Sequence, residues 1–166
     1  MGKVITSSLA KRRIEKKSSL TYELSFEGYC SIEADAAKLI AESGVNGIDL
    51  RELTEISDEV AEHLGSHSGS LDLGGLQTLS QNAAGLLAAH DGWLNLEIPE
   101  ISDGAATELA KGKARLKLTK LTRLDNCPGH IELAKKLLND RTIDRLYFLK
   151  HVAKEVSDEV PELKRW

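Results

Sequence analysis

The sequence predicts an α/β fold built as an array of stacked strand–helix units, and three observations carry that expectation. A pattern of 22–24 residues recurs through the middle of the chain. Within each copy the apolar spacing switches from period two to the spacing of a helix. The apolar set is also lopsided, with 26 leucines against one Met and 4% aromatic residues among 166. A core made from such a chain has to be leucine and alanine. The length suits one domain or one compact array. Hydrophobic residues at 41% and charged residues at 29% are an ordinary globular balance.

The copies align without effort. From Ile48 the chain reads IDLRELTEISDEVAEHLGSHSGS, and from Leu71 it reads LDLGGLQTLSQNAAGLLAAHDGW. From Leu94 it reads LNLEIPEISDGAATELAKGKAR, and from Leu116 LKLTKLTRLDNCPGHIELAKKLL. The starts are 23, 23 and 22 residues apart, and a fainter copy, LSFEGYCSIEADAAKLI, begins 24 residues earlier at Leu24. The shared pattern is L-x-L-x-x-L-x-x-[LI]-[SD]-x-x-A-A-x-x-L. The third unit drops one residue before Ile101 and puts Ile98 and Pro99 in its turn.

The L-x-L step predicts a short strand with one buried face. Ser57, Ser80, Ser102 and Asp125 fall where a helix N-cap accepts a backbone N–H. Asp58, Glu59 and Asp103 just inside suit the positive end of a helix. The helices are expected to bury Val60, Ala61 and Leu64; Ala83, Ala84 and Leu87; Ala105, Ala106 and Leu109. Gly69, Gly92 and Gly112 are expected to end them. One such unit cannot bury its own leucines, whereas stacked neighbours can.

At the ends, residues 128–138 fit the helix of the last unit, with Pro128 near its start. Residues 142–156 carry Ile143, Leu146, Leu149, Val152 and Val156 at helical spacing and predict a C-terminal capping helix, with a strand at 146–149 as the alternative. The tail after it reads as irregular. The basic segment 1–21 reads as a loose helix over 8–18 or as disorder. The array itself is expected over 22–141 and the cap and tail over 142–166.

The formal net charge of −4 hides a segregation. Residues 1–20 hold six Lys/Arg and one Glu, residues 21–110 two Lys/Arg and 17 Asp/Glu, and residues 111–166 fourteen and eight. An acidic middle lies between two basic ends. No aromatic-rich basic platform accompanies those ends, so nucleic acid is not the expected partner. No stretch approaches 18 apolar residues, and no apolar run follows the basic N-terminus. Ser7 stands one place too late for a myristoylation signal. The expectation is a cytoplasmic protein without a membrane partner. Cys30 and Cys127 lie far apart and read as reduced, buried residues.

The units resemble leucine-rich repeats. More narrowly, LDLGGLQTLSQNAAGLLAAHDG (71–92) and IDLRELTEISDEVAEHLGSHSG (48–69) are similar to bacterial arrays of L-x-L-x-G-L-x-x-L-S-D-x-A-A-x-x-L repeats. The resemblance spans roughly residues 22–138. It implies a solenoid with short parallel strands on a concave face, helices on the convex face and a helical C-terminal cap. It implies a binding scaffold and no particular chemistry. The Asn that usually follows the second strand leucine by three is replaced by Leu53, Leu76, Pro99 and Leu121. No Asn ladder can form, and the turn backbone must be satisfied in another way.

On the concave face the flanking residues form three columns: Glu23, Gly47, Ser70, Trp93, Arg115; Ser25, Asp49, Asp72, Asn95, Lys117; and Glu27, Arg51, Gly74, Glu97, Thr119. Trp93 is the one aromatic among them and suits an interface anchor, or packs over neighbouring aliphatic stems. Asp49 and Asp72 are expected about 5 Å apart on adjacent strands. Arg51 answers them from within, or a basic peptide or cation answers them from outside. Arg115, Lys117, Lys120 and Arg123 reverse the sign of the face along its length. The expected function is protein or peptide binding through Trp93, Asp72, Asn95, Asp49, Arg51, Glu97, Arg115 and Lys117. The alternative is a structural or self-assembly module without a dedicated ligand. Neither an enzyme nor a cofactor or metal protein is expected. His63, His67 and His90 lack a completing ligand. Cys127 with His130 is explained by its Asn-Cys-Pro-Gly turn. Phosphate-binding and nucleophile-elbow motifs are missing from the sequence.

Overall fold

Strands and helices alternate from end to end of the computed structural model, which describes residues 2–18 and 22–165, without the side chains of Asp144 and Arg165. Trp166 of the expected tail, and residues 19–21 of the expected basic segment, lie outside the described residues. The chain runs β1 (Lys3–Ile5), α1 (Ser7–Glu15), β2 (Glu23–Ser25), β3 (Tyr29–Ile32) and α2 (Ala34–Ala41). It continues β4 (Gly47–Asp49), α3 (Asp58–Gly65), β5 (Ser68–Asp72), α4 (Gln81–Ala88), β6 (Asp91–Asn95) and α5 (Asp103–Lys111). Then come β7 (Arg115–Lys117), β8 (Arg123–Leu124), α6 (Pro128–Asn139), β9 (His151–Val152) and α7 (Lys154–Glu159). Two 3-10 turns, Ile143–Arg145 and Pro161–Arg165, flank β9 and α7.

The L-x-L steps form one five-stranded parallel sheet in the order β2-β4-β5-β6-β7. Its register is that of the sequence alignment: Leu24, Ile48, Leu71, Leu94 and Leu116 lie side by side. Each is buried, because the helix that follows its strand covers that face. Two smaller parallel pairs, β1 with β3 and β8 with β9, stand at the two ends. The α/β class with parallel strands is thus as expected.

Each helix packs on the next, and small residues let it approach. Ala37, Ala61, Ala84 and Ala106 are 0% exposed. Ser57, Ser80 and Ser102 cap as expected, their hydroxyls accepting from Val60, Ala83 and Ala105 N–H at 3.2, 3.0 and 3.3 Å. Such a cap contributes about 1 kcal/mol. Thr6 does the same for α1, accepting from Leu9 N–H. The basic N-terminal segment therefore contains an ordered helix, and it also contains a strand, β1, that was not anticipated. Ile5 and Ala10 join the core.

The turns dispense with the Asn ladder by using backbone. Phe26, Leu50, Leu73 and Leu96 donate to the carbonyls of Asp49, Asp72, Asn95 and Lys117, each on the following strand, at 2.9–3.0 Å. A second row runs behind the turns: Thr54 N–H to Cys30 O, Gln77 N–H to Thr54 O and Thr122 N–H to Pro99 O, at 3.4, 3.2 and 2.8 Å. At the third unit this row meets Pro99, which can accept but has no N–H to pass on. Leu53, Leu76 and Leu121 replace the missing Asn with apolar burial.

Three local expectations are corrected. Asp125 does not cap α6. Pro128 occupies the first helical turn, so Cys127 is the cap residue and Asp125 is left to hold Arg123 at 2.6 Å. Gly69 and Gly92 do not end helices but lie inside β5 and β6 with φ of 126° and 151°. A Cβ on Gly92 would stand 1.8 Å from Gly69 O, and one on Gly69 2.2 Å from Asn46 O. Gly112, by contrast, is the cap residue that ends α5. Finally, no single helix spans 142–156, nor is there a strand at 146–149. Ile143, Leu146 and Leu149 recur every third residue, a spacing a 3-10 turn also satisfies. The open edge of β8 then claims the backbone, with Ala153 N–H donating to Leu124 O at 2.8 Å, and a helix starts only at Lys154.

Gly92→Ala is expected to cost about 3 kcal/mol or more in urea unfolding, since backbone rather than a flexible side chain blocks the new methyl. Gly44→Ala, at φ 69° with nothing within 4 Å, is expected to cost about 1 kcal/mol. Equal losses would contradict the close approach of successive strands.

Candidate functional site

The sheet face turned away from the helices carries the residues singled out in the sequence. Strand pairing sets Ser70, Trp93 and Arg115 in one row and Asp49, Asp72, Asn95 and Lys117 in the next. The second row is largely tied into the protein. The Arg51 guanidinium lies 2.8 Å from Asp49 Oδ1 and 3.7 Å from Asp72 Oδ2, which answers the two like charges from within. The hydrogen bond to Asp49, with its charge, holds the Arg51 pKa above the ordinary arginine value. Ser25 Oγ donates to Asp49 at 3.3 Å. Asp72 Oδ1 accepts from Asn95 Nδ2 and from Gly74 N–H, both at 2.9 Å. Asp72 therefore has two hydrogen-bond donors and one ion-pair partner and is a structural hub. Glu97 is held by Lys120 at 2.7 Å and accepts from Thr119 Oγ1, and the Lys120 contact lowers its pKa.

Trp93 is different. It is 37% exposed, and two guanidinium groups lie near its ring, Arg145 at 5.2 Å and Arg115 at 5.9 Å. A cation over an indole face is attracted by the ring quadrupole. A shallow depression of about 240 Å³ opens beside it, lined among others by Glu23, Ser70, Asn95, Lys117 and Arg145. Asn95 is one of its lining residues, and its Oδ1 is buried without a hydrogen-bond partner among the described residues. Among the described residues Arg115, Lys117 and Arg145 have no acidic side chain within ion-pair distance. Arg145 went unread in the sequence, since it reaches Trp93 from a segment 52 residues away that was assigned to a helix.

The other candidates are accounted for structurally. Asp125 N–H donates to His130 Nδ1 at 2.7 Å and His130 Nε2 lies 2.9 Å from Ile101 O. Both ring nitrogens are engaged, and burial raises the Cys127 thiol above its ordinary pKa. That is the reverse of an activated nucleophile. Cys30 and Cys127 are free and half-buried rather than buried. His67 and His90 stack at 5.7 Å between ring centroids, in equivalent places of adjacent units. Among the described residues no group of three His, Cys, Asp or Glu is placed to hold a metal ion. Among them, too, no helix is long and apolar enough to cross a membrane.

Fold and face together describe an α/β protein of repeated strand–helix units. Comparison with protein-family models, with curated proteins and with solved structures finds no match for the chain.

Burial lowers the pKa of both His67 and His90 below the ordinary value of 6.5, and for His67 the neighbouring His90 adds to it. The unfolded chain then binds protons at higher pH than the folded one, so the stability present above pH 6.5 falls as pH drops through and below that value. The urea midpoint is expected to decline between about pH 6.5 and pH 5, and less steeply in His67→Gln. An unchanged slope in that variant would exclude the buried pair as the cause.

Proposed function

We propose that the chain is a leucine-rich-repeat solenoid that binds another protein through the concave face of its sheet. The in-register parallel strands, the helices that follow each of them and the 22–24-residue period support that architecture. The exposed Trp93 with two arginines near its ring is the observation that carries the binding reading. An aromatic ring held rigid beside unpaired charge is the composition of an interface anchor. The engaged groups divide the expected binding set in two. Asp49, Arg51, Asp72 and Asn95 brace one another, and Glu97 is held by Lys120 and Thr119. Trp93, Arg115 and Lys117, joined by Arg145, are free to meet a partner. Three cations around one indole suit a segment that presents a carboxylate beside an apolar side chain. The reading assigns no catalytic step, since His130 is spent on two backbone groups and the Cys127 thiol is kept protonated.

Trp93→Ala and Lys117→Glu are each expected to weaken capture of the native partner at least tenfold, with the circular dichroism spectrum unchanged. Asp72→Ala should instead lower stability. Retention of the partner at wild-type strength by both surface variants would refute the assignment.

A further inference from the structure

The five-stranded sheet ends at β2, and among the described residues no strand lies against its outer edge. The register shows what that edge presents. In the inner strands Ser70 N–H donates to Asn46 O, and Asp72 O accepts from Leu50 N–H, so both residues turn their backbone groups towards the preceding unit. Glu23 and Ser25 stand in the same register as Ser70 and Asp72. Their backbone groups therefore face outward, where a further strand would continue the ladder.

The helix beside this edge departs from the others at one position. In α2 to α5 the seventh residue after the cap is Ile40, Leu64, Leu87 or Leu109, each 0% exposed. In α1, capped by Thr6, that residue is Arg13. Its guanidinium donates to Ser25 O, the counterpart of the Asp49, Asp72, Asn95 and Lys117 carbonyls that take an N–H from the preceding unit. Arg13 thus answers one backbone group of the edge. Between α1 and β2 runs an open groove of about 430 Å³, lined on the helix side by Arg12, Arg13, Lys16 and Lys17. Arg12 and Lys16 are exposed and, among the described residues, in no ion pair. Glu23 is the one carboxylate among the described lining residues. Its side chain leans over Gly47, with Cγ 3.2 Å from where a Cβ would stand there, and it also borders the depression beside Trp93. Glu15, exposed on α1, does not line the groove.

We propose that this groove takes an extended acidic segment of another protein, which adds to β2 as a further parallel strand. A polypeptide backbone can continue the ladder, whereas a nucleic acid or a lipid headgroup cannot. The inward side chains of the incoming strand meet Arg13 and its basic neighbours where the other units bury leucine, so they carry carboxylates. In the inner strands the inward residues are also the ones that pair with the next unit, as Leu50 and Leu73 do. The acidic residues of the segment are therefore the ones whose backbone pairs with β2. The site is separate from Trp93 and does not depend on what the sheet face binds.

Heteronuclear NMR titration of the full chain with the peptide acetyl-Thr-Glu-Thr-Glu-Thr-Glu-Thr-amide tests this. The peptide should shift the Glu23 and Ser25 amides with a Kd below about 1 mM, and the affinity should fall at least tenfold between about 50 and 500 mM NaCl. Methylating the Glu nitrogens of the peptide should abolish binding, and methylating the Thr nitrogens should leave it, because only the first set faces β2. Replacing every Glu of the peptide by Lys should abolish binding. Arg12→Glu/Lys16→Glu should weaken it at least tenfold with the circular dichroism spectrum unchanged, while Trp93→Ala should bind as the wild type does. Absence of shifts at Glu23 and Ser25, equal effects of the two methylated peptides, or loss of binding in Trp93→Ala would each overturn the proposal. So would the same amides shifting with protein concentration alone, which would mark a second copy as the occupant. A uridine oligonucleotide or phosphatidylglycerol vesicles that shift these amides where the peptide does not would overturn it as well.

Discussion

Parallel strands in register lie about 4.8 Å apart, and here that spacing is kept by five strands and by the turns that follow them. Each backbone amide that leaves a strand must find its acceptor on a neighbouring unit, because it is buried there. The row from Phe26 to Leu96 and the row through Thr54, Gln77 and Thr122 meet that demand. Two glycines mark how tight the spacing is. At Gly69 and Gly92 even a methyl group would meet the carbonyl of the preceding unit.

The composition follows from this constraint. A slot that repeats every layer accepts one shape of side chain, so leucine recurs between strand and helix and alanine recurs where helices meet. Stability is shared between neighbours rather than held within units, as in any one-dimensional stack. The sheet face is relieved of core packing and can carry charge. Much of that charge is spent internally, on the Arg51 bridge and on Asp72 with its two donors. On that face Arg115, Lys117 and Arg145 near Trp93 are left without an ion pair among the described residues.

The register of the sheet, the serine caps and the buried alanines were legible in the sequence because each depends on residues within one period. So was the answer of Arg51 to Asp49 and Asp72, since strand pairing alone brings them together. Features that the repeat pattern and strand pairing do not encode were not. The role of Gly69 and Gly92 comes from a carbonyl some 23 residues earlier. Arg145 reaches Trp93 only because the C-terminal segment folds as a 3-10 turn and a strand, and a three-residue spacing of leucines does not separate that from a helix. Strand β1 is only three residues, Lys-Val-Ile, and its partner β3 lies in the weakest copy of the pattern.

Amide hydrogen exchange under native conditions reads the central claim directly. If the backbone rows bind the units into one cooperative stack, the amides of Leu50, Leu73 and Leu96 exchange only through global unfolding, with the same free energy as the urea measurement. Exchange of any of the three through a local opening, while its neighbours stay protected, would show that the units stand by themselves and would contradict the account.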